Sequence, residues 1–181
     1  MIIIITGSSH TGKTCLAQKL LEKNNYPYLS IDHLKMGLIR SGYTNLTPIE
    51  DDKITKYLWP IVREIIKTAI ENRQNLIVEG CHIPYDFSND LTDNYLAQIQ
   101  YINLILSKRY IEGNYNQIIS FQNSIEKRLS DEFTEEEMIR ENLLRLDSSH
   151  KYGCPYTLID NGNYYNLPID DQCKSTSQQA K

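Results

Sequence analysis

Gly7-Ser8-Ser9-His10-Thr11-Gly12-Lys13-Thr14 fills every fixed position of the pattern GxxxxGK[ST], and the apolar run Ile2 to Ile5 stands directly before it. Glycines let the backbone turn tightly, so that successive N–H groups converge on one point. A strand entering such a turn ahead of a helix makes a nest for polyphosphate. Lys13 would reach the β- and γ-phosphates, the Thr14 hydroxyl would ligate Mg2+, and backbone amides from Ser9 to Thr14 would complete the cradle. All eight residues are therefore candidate nucleotide ligands, with ATP and Mg2+ as the expected cofactors. The competing reading is a glycine-rich turn without a ligand.

Phosphoryl transfer also needs a group that orients an acceptor and takes its proton, and open α/β sheets bind ligands beyond the carboxyl ends of their strands. Asp32 and Glu79 each close a short apolar run. Asp32 is the candidate for the acceptor hydroxyl and its proton; it reads equally as an N-cap for a helix from His33, and one carboxylate can do both. Glu79 is the candidate for Mg2+, through water, or for the acceptor, against an ordinary strand-end acid facing solvent. Gly80 beside it allows close approach of a ligand or serves a tight turn.

Cations must close over a phosphoryl group whose charge lies on its equatorial oxygens. The candidates are Arg128, with Lys127, where a lid would form; Arg109, just beyond the fourth strand, on the nucleotide side; and Arg40, two helical turns after Asp32, on the acceptor side. Each arginine also reads as a surface residue. Tyr85, Phe87 and Tyr95 read as stacking partners for an acceptor or as core and rim filling, and Trp59 as packing or pocket wall. His10 is read with its ring toward solvent. His10, His33, His82 and His150 are scattered and show no paired His or Cys spacing, so no protein-held zinc site is expected. Neither GxSxG nor a Cys-His arrangement points to a hydrolase triad.

The elements that must position these residues can be read from periodicity. Ile2 to Ile5 is uniformly β-branched, as in a strand covered on both faces. A helix is expected from Gly12 to Lys23, with Cys15, Leu16, Leu20 and Leu21 inward, then a strand from Tyr28 to Ile31 ending at Asp32, and a short helix from His33 to Ile39. Thr47, Pro48 and Glu50 have the N-cap, first-turn and capping-box types, opening a helix to Asn72 with a kink or break near Tyr57 to Trp59, before Pro60. Asn75 to Gly80 and Tyr101 to Leu106 read as strands, Pro84 to Asn89 as loop, Leu91 to Ala97 as a short helix, and Ser107 as the cap of a helix from Lys108. Thr134 opens a second capping box, with Met138, Leu143, Leu144 and Leu146 carrying a helix to Gly153, and Cys154 to Ile159 is the fifth strand. Five strands separated by helix-length segments predict an α/β, three-layer fold with a five-stranded parallel sheet.

At 181 residues the chain is of single-domain size and able to bury roughly 70% of its unfolded surface. The expected domain is 1–169, followed by a polar, frayed tail over 170–181. Nineteen Lys and Arg against twenty-three Asp and Glu give a net charge of −4, with both signs interspersed and no basic tract. Nucleic acid and membrane are therefore not expected partners; a small-molecule acceptor is, with the chain a monomer or homodimer. Four dispersed cysteines and no signal peptide predict a reduced, cytoplasmic location.

Gly7 to Thr14, Ile31-Asp32-His33-Leu34 and Val78-Glu79-Gly80 together resemble the small P-loop kinases: adenylate kinase, shikimate kinase, chloramphenicol phosphotransferase and the zeta-toxin-like proteins. The resemblance implies a strand order of 2-3-1-4-5, an acceptor region in the helices after strand two, and a lid after strand four. It gives Asp32 the acceptor-binding or base role, places Arg128 in or beside the lid, and sets Asp160 to Tyr164 near the adenine. The implied activity is transfer of the ATP γ-phosphate to a small-molecule hydroxyl or phosphate. The alternative is a nucleotide-binding switch or interaction module with little hydrolysis. Glu79 to Pro84 departs from the glycine-rich strand-three exit of adenylate kinases, and the lid segment is poor in arginine.

Overall fold

The computed structural model describes residues 1–121 and 133–161; Lys127, Arg128, Tyr164 and the segment 170–181 lie outside them. Its elements are β1 (Ile2–Gly7), α1 (Lys13–Asn24), β2 (Tyr28–Ser30), α2 (Ile31–Arg40), α3 (Asp51–Glu71), β3 (Leu76–Glu79), α4 (Asp93–Leu96), β4 (Ile99–Leu106), α5 (Lys108–Ser120), α6 (Glu135–Tyr152) and β5 (Thr157–Ile159), with a 3-10 turn at Phe87–Asp90. The strands form one parallel sheet in the order β2-β3-β1-β4-β5, which is the expected fold class. Among the described residues no helix is long and apolar enough to cross a membrane.

Side chains alternate across a strand, and β1 divides its isoleucines accordingly. Ile2 and Ile4 join α3 residues Ile54, Leu58, Val62 and Ile66 in one core. Ile3 and Ile5 join Leu16 and Leu20 of α1, with Ile111 and Met138, in the other. Helices thus cover both faces of β1, and all four isoleucines are fully buried. The register pairs Ile5 with Glu79 and Gly7 with Leu104, bringing the β3 terminus alongside the turn that follows β1.

Several local expectations are corrected. Asp32 is not the end of a strand, because β2 stops at Ser30 and Asp32 sits in the first turn of α2. The helix expected from Thr47 starts at Asp51. Thr47 N and Oγ1 both donate to Glu50 Oε2, at 2.8 and 3.0 Å, and Glu50 N donates to Thr47 O, which closes a separate turn. Thr134 instead completes the full reciprocal box with Glu137 and caps α6. No break occurs at Pro60, and α3 runs through it. An interior proline costs about 3 kcal/mol, whereas each buried large aliphatic side chain contributes roughly 1.5–3 kcal/mol. The stripe Ile54, Leu58, Val62, Ile66 on both sides of Pro60 therefore outweighs it. Cys15 and Leu21 are only half-buried, with Ala17 taking the inward place on α1. The fifth strand begins at Thr157 rather than Cys154, and the segment read as loop after Pro84 includes the 3-10 turn.

Helix α6 departs most from its apolar reading. Leu143 and Leu144 are exposed, Leu144 at 59%, and the helix docks largely through polar residues. Asn142 Oδ1 accepts from Leu106 N at 2.8 Å, Arg145 Nη1 donates to Thr6 Oγ1 at 3.3 Å, and Asn103 Nδ2 donates to Ser149 Oγ at 2.9 Å. These positions fall three or four apart, one face of a helix, and lay α6 across the carboxyl ends of β1 and β4.

Candidate functional site

The turn between β1 and α1 is held by close backbone packing. A Cβ on Gly7 would stand 2.6 Å from both Leu104 O and Thr11 Oγ1, so only glycine fits. His10 takes a left-handed φ of 64°, a conformation that costs a non-glycine residue of order 1 kcal/mol and is concentrated at functional sites. Its ring does not point to solvent as expected: it is half-buried and stacks on Phe133, centroids 5.3 Å apart.

Lys13 is 8% exposed, and its ammonium donates to Ser8 O at 2.8 Å. Burial pushes its pKa down, while Cys81, Glu79 and Asp32 oppose that shift. Among the described residues it has no ion pair. Buried charges are otherwise paired, so an anion is the kind of group this loop could hold beside Lys13. Thr14 Oγ1 donates to Glu79 Oε2 at 3.3 Å, and Glu79 is 1% exposed. A hydroxyl and a buried carboxylate side by side form a hard oxygen pair suited to Mg2+. The solvent-facing reading of Glu79 is therefore excluded.

Gly80 has a packing cause. A Cβ there would lie 2.8 Å from Ile31 Cβ, at a φ of +154°. The β3 exit and the start of α2 are thereby pressed together, which sets Asp32 near the segment after Gly80. Lys35, one turn on, places its ammonium 2.6 Å from Asp32 Oδ1. Burial pushes the Asp32 carboxyl up, but Lys35, through charge and hydrogen bond, outweighs this and holds it below the usual carboxylate range. Arg40, expected to share the acceptor with Asp32, is exposed in the last turn of α2, about 12 Å further along the axis at 1.5 Å per residue. Lys35 is the cation brought to Asp32.

Beside the loop opens a cleft of ≈ 820 Å³, reached from Ser8 and Ser9 and walled by α3, the segment 81–86 and α6. Trp59 lines it as pocket wall, its Nε1 donating to Asp90 Oδ2 at 2.7 Å. Tyr85 stacks on Tyr152, and the Arg145 guanidinium lies 5.5 Å from the Tyr85 ring centre. Phe87 is core, packed on Trp59 and Tyr101, while Tyr95 is tied to Glu71. Glu141, half-buried on the α6 wall, has its carboxyl pushed up by burial and by Asp51, with Arg145 and Lys13 opposing. At the far side of the loop, Arg109 forms a two-nitrogen ion pair with Asp160, which also accepts from Ser107 Oγ at 2.6 Å. The hydrogen bonds from Ser107 and Arg109 hold the Asp160 carboxyl low.

The structure therefore gathers Lys13, Thr14, Glu79 and Asp32 at the carboxyl ends of β1, β3 and β2, keeps Arg109 at the end of β4, and leaves Arg40 outside. Sequence reasoning missed Lys35, Arg145 and Glu141. Lys35 had a local signal, since position i+3 from a helical aspartate is its neighbour. Arg145 and Glu141 had none, because their place depends on how α6 docks.

No family model matches the chain, and no curated protein does. Among solved structures it is similar to a shikimate kinase from Bacteroides thetaiotaomicron, at 14% identity over 87% of this chain and 85% of that one, with a TM-score of 0.52. Deoxyadenosine kinase from M. mycoides with bound dATP aligns at 19% identity over 95% and 94%, with a TM-score of 0.49. At such identities the likeness concerns the fold alone. Strand order and the loop between β1 and α1 agree with it: this chain adopts the fold of the small P-loop kinases.

Proposed function

We propose that the protein is an ATP-dependent phosphotransferase acting on a hydroxyl of a small molecule held in the cleft beside Asp32. The observation that carries this reading is the buried ammonium of Lys13, close enough to the carboxylates of Glu79 and Asp32 to feel their charge, in a loop whose Ser8 and Ser9 line the cleft. Backbone amides of Ser9 to Thr14 bind the phosphates, and Lys13 follows the charge that develops between the β- and γ-phosphates. Thr14 and Glu79 are the residues that would hold Mg2+, which when bound neutralises the phosphate oxygens. Arg145, reaching over β1, offsets charge on the moving phosphoryl group.

Asp32 accepts a hydrogen bond from the acceptor hydroxyl and takes its proton. The acceptor oxygen forms a bond to the γ-phosphorus as the bond to the β,γ-bridging oxygen breaks, and ADP carries away that electron pair. Arg109, with Asp160, belongs to the nucleotide end. Arg128, with Lys127, is the cation of a closing lid, and Gly80 sets the acceptor floor. Arg40 belongs to the outer rim of the acceptor region.

Charge in the cleft favours a hydroxyl acceptor over a nucleoside monophosphate. Asp51, Asp52, Asp86, Asp90 and Glu141 line it against Lys56, Arg63 and Arg145, so a second polyanion would meet more carboxylates than cations among the described residues. The test is mass spectrometry of a metabolite extract incubated with the protein and γ-labelled ATP. A labelled product made by the parent and not by Asp32→Asn supports the reading. ATP loss that is equal with and without every acceptor contradicts it. A partner captured only with ATP, without a phosphorylated product, would favour the switch module instead.

A further inference from the structure

On the wall of the cleft stands a histidine that the phosphotransfer steps do not use. His82 is 1% exposed, and both ring nitrogens are engaged: Nδ1 lies 3.1 Å from Thr55 Oγ1 and Nε2 lies 3.3 Å from Lys35 Nζ. An ammonium has three donors and no acceptor. Nε2 must therefore be the unprotonated nitrogen, which puts the ring proton on Nδ1, donated to Thr55. Lys35 in turn meets Asp32 Oδ1 at 2.6 Å. The chain Thr55, His82, Lys35, Asp32 thus links α3, the β3 exit and α2, and among the described residues no hydrogen bond or ion pair engages the second Asp32 oxygen.

The same residues invite a metal reading, because the ligand atoms of Asp32, Cys81 and His82 lie within 4.8 Å of one another. One observation favours the hydrogen-bonded chain: the Lys35 ammonium already engages Asp32 and His82, two of the three groups.

We propose that His82 is a positioning residue of the phosphotransfer site: fixed by Thr55, its unprotonated Nε2 holds the Lys35 ammonium on Asp32, leaving the other carboxylate oxygen for the acceptor hydroxyl. The proposal rests on the phosphotransfer reading for its purpose and on the geometry for its content. The charged groups acting on His82 are Lys35 and Asp32 from α2, Asp51 from α3 and Lys13 from α1. Burial and Lys35 push its pKa below 6.5, while Asp32 and Asp51 oppose. Above that midpoint the chain is intact. As pH falls through it, Nε2 gains a proton, two cations face each other at 3.3 Å, and Lys35 is released from its acceptor.

Long-range 1H–15N correlation spectra of the full-length protein read the tautomer and titration of His82 without nucleotide or acceptor, with His82→Gln supplying the assignment. The expected result is a neutral ring protonated on Nδ1, with a midpoint below the ordinary imidazole range that rises in Lys35→Met. A ring protonated on Nε2, or a midpoint that Lys35→Met leaves in place, overturns the proposal. So does saturable one-to-one zinc binding that shifts the His82 signals and is lost in Cys81→Ser. Because these spectra need no turnover, their outcome and that of the labelled-ATP experiment fail independently.

Discussion

The glycine-rich loop and the cleft beside it meet at Ser8 and Ser9 and are built by different means. The loop is eight consecutive residues whose proposed phosphate ligands are mostly backbone amides, fixed by Gly7 packing on Leu104. The cleft is made of side chains from α3, the segment 81–86 and α6; 139 positions separate Thr6 from the Arg145 that reaches it. A site made of contiguous backbone depends on its own turn, while one made of dispersed side chains depends on helix docking. Loop substitutions should therefore remove nucleotide binding without altering the fold, and cleft substitutions should separate acceptor handling from nucleotide binding.

The largest expected effect tests the loop side of this contrast. Lys13→Ala should lower turnover by about 10³-fold, or about 4 kcal/mol, with the melting temperature nearly unchanged; a steady-state assay and a thermal melt together check it. On the cleft side, Asp32→Asn should cost about 10²-fold to 10³-fold in kcat while MgATP affinity stays within a few-fold, and loss of ATP affinity there would break the separation. Arg145→Met should cost about 10²-fold in kcat/KM.

The next effect is structural. Gly80→Ala must accommodate a Cβ 2.8 Å from Ile31 at positive φ, and should destabilise by about 2 kcal/mol while impairing acceptor use more than nucleotide binding. The smallest is Asn142→Ala, which leaves Leu106 N without its side-chain partner and should cost about 1–2 kcal/mol in chemical denaturation.

The same contrast explains what could be read in advance. The positions of β1, α1 and β3 followed from apolar runs and one glycine pattern, because local sequence determines a buried parallel strand and its turn, whereas the strand order came only from the resemblance to the small P-loop kinases. Asp32 was placed correctly in the chain but one element too early, since Ser30-Ile31 reads equally as strand or helix start. The break expected near Pro60 did not occur, because burial on either side of it outweighed a local rule. Leu143 and Leu144 misled because α6 docks by Asn142, Arg145 and Ser149, a polar stripe that an apolar periodicity search passes over. Lys35 was legible at i+3 from Asp32, whereas the partnership of His82 with Thr55 and Lys35 depends on tertiary packing between α3 and the β3 exit.

Isothermal calorimetry of the full-length protein with MgATP addresses the central claim most directly, that backbone amides and the Lys13 ammonium at the start of α1 grip a polyphosphate. Saturable one-to-one binding, weakened about 100-fold by Lys13→Ala, is the predicted result. Absence of binding by the parent, or an equal affinity in Lys13→Ala, would contradict it.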